Sequence, residues 1–408
     1  MKNLLIYVFF VCFITVFPQN ILAWDEVGHK LTTYIAWERM TPQVREKVSK
    51  LLREAPEDSD LSMLYPQDSR SDSARQLDHF MLASTWADIV RERNFPVRYK
   101  KYHQTNWHYY DSFWSMENGQ LKIIEKPVEE LGKAVPKLFE FEKTLQNPSA
   151  SEADKAIALA WVLHLIGDLH QPLHCSARVT PEEPNGDQGA NLFLLTPKDT
   201  PRNQQENLHW FWDSIVKRNI LRKNDEPDPL YLSKIAKGFI KKYPFAKMQN
   251  RLRLGKFDDW HKEGLQIATS QVFPFTLKRF ETPTESYKKL AFKISEEQIA
   301  LAGYRIGEML NQIFGQNTAV DANSEEPCKI IRKVHYPVTK TSPSSQPLEI
   351  ALLNLCPANK GMVARPMYST MKDGKIIDRE YDVERIFKTE KEAREYAEKN
   401  GIKDVSIN

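Results

Sequence analysis

Across residues 24–315 apolar positions recur mainly at helical spacing, so this part of the chain reads as mostly helical. Thr41-Pro42 supplies a capping hydroxyl and a first-turn proline ahead of Val44, Val48, Leu51 and Leu52. Residues 156–166 are almost continuously apolar, which predicts a buried helix rather than a strand. Ser295-Glu-Glu-Gln298 reads as a capping box for a helix carrying Ile299, Ala302, Ile306, Leu310 and Ile313, closed by Gly315. The strand-like run in this region is 191–196.

The pattern changes after Gly315. Residues 316–326 are polar and linker-like, and 327–408 read as a separate small α+β module. Its β-prone runs are 329–334, 348–355 and 362–371, followed by a Lys372-Asp-Gly-Lys375 turn and 375–377. A charged helix is predicted from a cap at Thr389 to Asn400-Gly401, then a last strand at 405–407. A module this small needs a staple, and a Cys328–Cys356 disulfide is the expected one.

Residues 1–23 combine a positive start, an apolar stretch and a small exit residue, the marks of a secretory signal cleaved after Ala23. The stretch falls short of the about 20 residues a spanning helix needs. The expectation is export, to the outside or to a periplasm. That compartment favours the disulfide; Cys12 leaves with the signal, and Cys175 reads as a buried free thiol. The 408 residues, 41% hydrophobic with a formal charge of +3, supply ample core for one large and one small domain. So slight a charge does not imply duplex wrapping or a polybasic membrane patch.

The candidate chemistry lies in eight imidazoles and carboxylates: His29, Asp88, His108, His164, Asp168, His174, His209 and Asp213. They stand in short patterns: W-x-x-x-x-H from Trp24, W-A-D, W-H-Y-Y-D, H-x-x-x-D-x-H-Q-P-L-H and H-x-x-x-D. His164 and Asp168 are four apart within the apolar run, so they leave one face of a buried helix. Such groups are costly there unless something neutralises and bonds them. Each motif alone is weak, since a single histidine on an apolar face is more often a hydrogen-bonded core residue. Together, the nitrogen and hard oxygen donors suit zinc.

In this order, behind Trp24, the motifs resemble those of the zinc-dependent, single-strand-specific nucleases of the S1/P1 type, within the superfamily that includes bacterial zinc phospholipase C. The resemblance spans 24–315, including A-G-Y-R and L-N-Q-I-F near the end, and omits the C-terminal module. It implies a mainly α-helical single domain with three zinc ions in a cleft. One zinc would be held by Asp88, His108, His164 and Asp168. Its neighbour would be held by the α-amine and carbonyl of Trp24, with His29 and a bridging Asp168. A third would be held by His174, His209 and Asp213. A free amine at Trp24 exists only after signal removal, which ties export to site assembly.

The resemblance further implies that a hydroxide shared by the paired zincs attacks phosphorus, with Asp88 orienting it and the third zinc taking charge on the leaving oxygen. Two further residues are candidates. Arg91, one turn after Asp88, would stabilise the transition state, with a surface ion pair as the alternative. Tyr109, where family members present an aromatic, would stack on a base, with core packing as the alternative. His170 and Asp111 are candidates for orienting the ligands, with plain packing as the alternative. The implied activity is cleavage of single-stranded DNA and RNA to 5′-phosphate ends, with 3′-nucleotidase action beside it. No stable membrane insertion and no obligate protein partner are expected.

Two other readings compete. A phospholipase C acting on phosphatidylcholine-type lipids would use the same metals. Against it stand the short Trp24–His29 spacing and Asp213, where the lipases have glutamate. A binding protein with purely structural zinc would need closed four-ligand sites. The 174–209 stretch is longer than usual for the family, and Asp187-Gln-Gly-Ala-Asn191 departs from its Asp-x-Gly-Gly-Asn, which bears on the cleft rim.

Overall fold

The computed structural model describes residues 24–222 and 228–315 and, beyond these, the strand segments 334–335, 348–354, 362–372, 375–381, 385–387 and 406–407. The chain divides into two units, Met1–Gln316 and Asn317–Asn408.

The first unit is mainly α-helical. Its helices are α1 (Glu26–Arg39), α2 (Pro42–Arg53), α3 (Asp72–Ala83), α4 (Trp86–Ile89), α5 (Pro96–Tyr102), α6 (Ala134–Gln146), α7 (Glu152–Leu169), α8 (Leu208–Asp213), α9 (Ile215–Asn219), α10 (Asp228–Lys242), α11 (Phe245–Met248), α12 (Phe257–Ile267) and α13 (Glu285–Gly315). α7 is the apolar run expected from the sequence. It is buried on all sides, with Ser151 capping its first turn through Asp154 N. α1 lies close along α13, because a Cβ at Gly303 would come within 2.6 Å of Ile35 Cβ. Thr41 caps α2 as expected, accepting from Val44 N at 3.3 Å.

Two expectations fail. α13 does not start at Ser295: it runs unbroken from Glu285, and the Ser295 hydroxyl donates back to Ala291 O at 2.9 Å. Buried Tyr287 and Ala291 extend its apolar stripe upstream. Residues 191–196 form no strand; they make a single bridge, Leu194↔Asn207. The strands of this unit lie elsewhere, as β1 (Ser112–Glu117), β2 (Gln120–Ile124) and β3 (Ser176–Arg178), in the order β2-β1-β3. β1 and β2 form an antiparallel hairpin, whereas β1 pairs with β3 in parallel, Ser112 opposite Ser176. Parallel pairing draws together the segments that precede both strands: Tyr110 N donates to His174 O at 3.0 Å. His108 and His174, on those segments, therefore meet.

In the second unit, β4 (Val334–His335) pairs with the terminal strand Ser406–Ile407. β5 (Leu348–Asn354), β6 (Met362–Lys372) and β7 (Lys375–Tyr381) form an antiparallel sheet, and β8 (Arg385–Phe387) pairs with β6. The β6–β7 register closes on Lys372↔Lys375, and Asp373-Gly374, where the turn is expected, lie outside the described residues. The signal segment, the 316–326 linker, Cys328, Cys356 and the helix expected from Thr389 lie outside the described residues.

Candidate metal centre

α7 presents His164 and Asp168 from one face, both fully buried. His164 Nδ1 lies 2.7 Å from Ser84 O. A carbonyl only accepts, so Nδ1 carries the proton and Nε2 faces inward as a lone pair. There it meets Asp168 Oδ2 at 3.3 Å and His108 Nδ1 at 2.9 Å, and His108 Nδ1 is itself 3.3 Å from Asp168 Oδ2. A tetrahedral zinc with bonds of about 2.0–2.1 Å places its ligand atoms roughly 3.3–3.4 Å apart, close to this triangle. Asp88 Oδ1, from α4, stands 3.9 Å from His164 Nε2.

The other oxygen of Asp168 faces a different partner. Asp168 Oδ1 is 3.3 Å from His29 Nε2, and the His29 ring stacks on His164 at 4.1 Å. One carboxylate thus addresses two donor sets. Candidate ligand atoms gather within 4.8 Å as His108, His164 and Asp168, and also as His29, Asp88 and His164. The resemblance groups His29 with Asp168 instead; the 3.3 Å separation accommodates that grouping too, because the sets are contiguous. α1 brings His29 in from a cap at Asp25, whose Oδ1 accepts from Val27 N and Gly28 N.

A further group joins His174, His209 and Asp213 within 4.8 Å. His174 Nδ1 donates to His108 O at 2.8 Å, and His209 Nδ1 to Gly189 O at 2.6 Å. Both rings therefore turn a bare Nε2 toward Asp213, at 3.8 and 3.5 Å. Asp213 Oδ1 accepts from Gln171 Nε2 at 2.7 Å. Trp24 is fully buried, and Asp25 N donates to Asp213 O at 3.0 Å, so the segment leading into α1 sits beside this third group.

Whether these residues fit a metal is tested by their hydrogen bonds. His29 Nε2, Asp88 Oδ1, both oxygens of Asp168, His174 Nε2, His209 Nε2 and Asp213 Oδ2 are buried without a hydrogen-bond partner. Such a concentration of orphaned acceptors is costly in an ordinary core and is what a set of cation ligands requires. Proton affinities agree. Burial lowers His29, His174 and His209 and pushes His108 down to about 3, leaving neutral imidazoles. Burial raises Asp168, but His164 and the other imidazoles outweigh it and hold the carboxyl well below its usual range. Burial also opposes a proton on His164, yet Asp168 and Asp88 together raise it; buried Asp213 is pushed up to about 7. Both shifts express a pocket short of positive charge. The residues fit.

A cavity of about 310 Å³ opens over the groups, lined by His108, His174 and His209 together with Arg91, Tyr109 and Asp111. Arg91 Nη1 is 3.3 Å from Asp88 Oδ1. The eight histidines and aspartates singled out in the sequence thus lie in the clusters, and Arg91, Tyr109 and Asp111 line this cavity, whereas His170 lies elsewhere. Its Nδ1 donates to Ile166 O and its Nε2 accepts from Arg305 at 2.7 Å, so it braces α7 against α13 rather than any ligand. Asp111 touches no ligand either; burial holds its carboxyl well above the usual value. Missed in the sequence were Ser84, Gly189 and Gln171. Gln171 stood inside the quoted H-Q-P motif, where its amide was the available signal. Cys175 is a buried free thiol.

Residues 24–315 match the S1/P1 Nuclease family. The chain belongs to that family. Among relatives, it is 26% identical to Endonuclease 2 of Arabidopsis thaliana over 316 residues, covering 72% of this chain and 92% of the relative. It is 27% identical to Nuclease S1 of Aspergillus oryzae over 42% of this chain and 58% of that one. Among solved structures, the alpha toxin of Clostridium absonum aligns over 91% of this chain and 98% of its own, at 12% identity and a TM-score of 0.33. As an S1/P1 nuclease, the protein is a hydrolase of phosphodiester bonds. No helix among its described residues is long and apolar enough to cross a membrane.

Proposed function

We propose that this S1/P1 nuclease is an exported, zinc-dependent phosphodiesterase that cleaves single-stranded DNA and RNA to 5′-phosphate products and also removes 3′-phosphates from nucleotides. The observation that carries this reading is the convergence of unpartnered, buried imidazole and carboxylate atoms around Asp168 and around Asp213. Asp88, His108, His164 and Asp168 would hold one zinc. His29 and Asp168, with the Trp24 carbonyl and the Trp24 amine that signal cleavage would free, would hold its neighbour. His174, His209 and Asp213 would hold a third.

Zinc, when bound, supplies Lewis acidity toward phosphoryl oxygens and toward water. The chain's own residues do the rest. Arg91 reaches the cavity beside Asp88 and donates to a phosphoryl oxygen as charge builds on it. Asp88, 3.3 Å from that guanidinium, keeps it aimed. Tyr109 on the cavity wall offers a face for base stacking, worth about 1–3 kcal/mol and tolerant of sequence. A cavity of this size takes one unpaired nucleotide more readily than a duplex, hence the preference for single strands.

The test is a parallel assay of the mature protein on single-stranded DNA, RNA, 3′-nucleotides and phosphatidylcholine. Cleavage of the nucleic acids with 5′-phosphate ends is expected. Turnover of the lipid alone would replace this reading with the phospholipase one.

A further inference from the structure

Beside the metal centre, the cavity wall continues into a cationic strip with an aromatic backing. Thr105 lines the cavity next to Arg91. Its hydroxyl lies 3.0 Å from His103 Nε2, and His103 stacks on Tyr99 with centroids 4.8 Å apart. The Arg93 guanidinium then lies 5.7 Å from the centre of the Tyr99 ring. Tyr99 and His103 stack because they are four apart across the end of α5, on one face. Burial keeps the His103 ring below its usual proton affinity, and the charges of Arg91 and Arg93 lower it further, so both cations sit close to the same imidazole.

The cations of this region are not equivalent. Arg98 is buried and held by Asp60 at 2.8 Å and Glu92 at 3.0 Å; Lys101 is held by Asp58 at 2.7 Å. Arg93 is exposed, contacts the Tyr99 ring and forms no ion pair among the described residues. Its charge is therefore available to a ligand. A guanidinium laid against a ring has fewer orientations to lose and presents a fork suited to phosphate.

We propose that the line Arg91–Thr105–His103–Tyr99–Arg93 is the path along which a single strand leaves the cavity, with Arg93 pairing with a phosphate that flanks the scissile one. The proposal rests on the nuclease reading and adds to it a residue that sets preference for polymers over dinucleotides. A dinucleotide has no second phosphate to offer Arg93 once its own lies at Arg91. A single strand has one, and is pliant enough to follow the wall.

The experiment uses the zinc-loaded mature protein, unaltered and as Arg93→Gln and Lys101→Gln. It compares kcat/KM for a single strand of about ten nucleotides with that for a dinucleoside monophosphate, across a salt series. Arg93→Gln should lower the oligomer-to-dinucleotide ratio at least about threefold at low salt. The loss should appear in the oligomer's KM, and the slope of log(kcat/KM) against log salt should fall by about 0.7, the value for one phosphate contact on a single strand. Lys101→Gln, whose charge is already paired, should keep the ratio. A ratio and slope unmoved by Arg93→Gln, or an equal loss in Lys101→Gln, overturns the strip and leaves the nuclease reading intact. Cleavage of neither substrate by the unaltered protein overturns both.

Discussion

Ser84 decides what His164 can do. Its carbonyl lies 2.7 Å from His164 Nδ1, fixes the proton there and leaves Nε2 as a lone pair facing Asp168. His174 and His209 repeat the device with the carbonyls of His108 and Gly189. Three imidazoles are thus aimed at the buried carboxylates by backbone that has no charge of its own, and their orientation is a property of the fold.

Gln171 does for Asp213 what Ser84 does for His164. Its Nε2 donates to Asp213 Oδ1 at 2.7 Å, while its Oε1 accepts from Leu173 N at 2.7 Å. Gln171→Ala should weaken zinc at the His174–His209–Asp213 group by about 10–100-fold. Competition against a graded series of chelators reads this directly. An unchanged affinity would mean that Asp213 needs no such support.

Gly167 admits His29. A Cβ at this position would stand 2.7 Å from His29 Nδ1 and 3.0 Å from its Cε1. Alanine favours a helix interior by about 1 kcal/mol over glycine, so Gly167→Ala should keep helicity. It should nonetheless displace the imidazole, with loss of bound zinc and of activity. Full zinc content in this variant would show that His29 is not held where the geometry places it.

His79 carries a pH dependence unrelated to the metals. It is buried, its Nε2 donates to Leu61 O at 2.9 Å, and burial pushes its pKa down from 6.5 to about 4. The folded state therefore holds the ring neutral where the unfolded chain protonates it. Stability from this source is intact above pH about 6.5 and is lost as pH falls toward about 4, by at most about 3 kcal/mol. Melting the metal-free protein across this range should show a shallower acid slope for His79→Gln than for the parent. Equal slopes would contradict the shift.

The parts of the site that were legible in the sequence are those written in local spacing. His164 and Asp168 stand one turn apart in an apolar run, and His209 and Asp213 do so on α8, so a shared helix face followed from the numbering. The meeting of His108 with His174 did not, because it depends on parallel pairing of β1 with β3, a strand of three residues with no periodicity to read. Residues 191–196 alternate exposed Leu192 with buried Phe193 and Leu195, which imitates a strand, yet only the Leu194↔Asn207 bridge forms. Ser295 imitates a cap, but its hydroxyl is satisfied by Ala291 O and the helix passes through. In each case a tertiary partner, or the lack of one, overrode a sound local signal.

Whether Asp168 and Asp213 anchor metal, rather than an unusual buried polar network, is decided by the zinc content of the dialysed mature protein measured beside that of Asp168→Ala. About three zinc per chain are expected in the parent, with at least one lost and activity reduced about 10²-fold or more in the variant. A parent that cleaves single-stranded DNA with no bound metal, or a variant with unchanged zinc and turnover, would contradict metal anchoring.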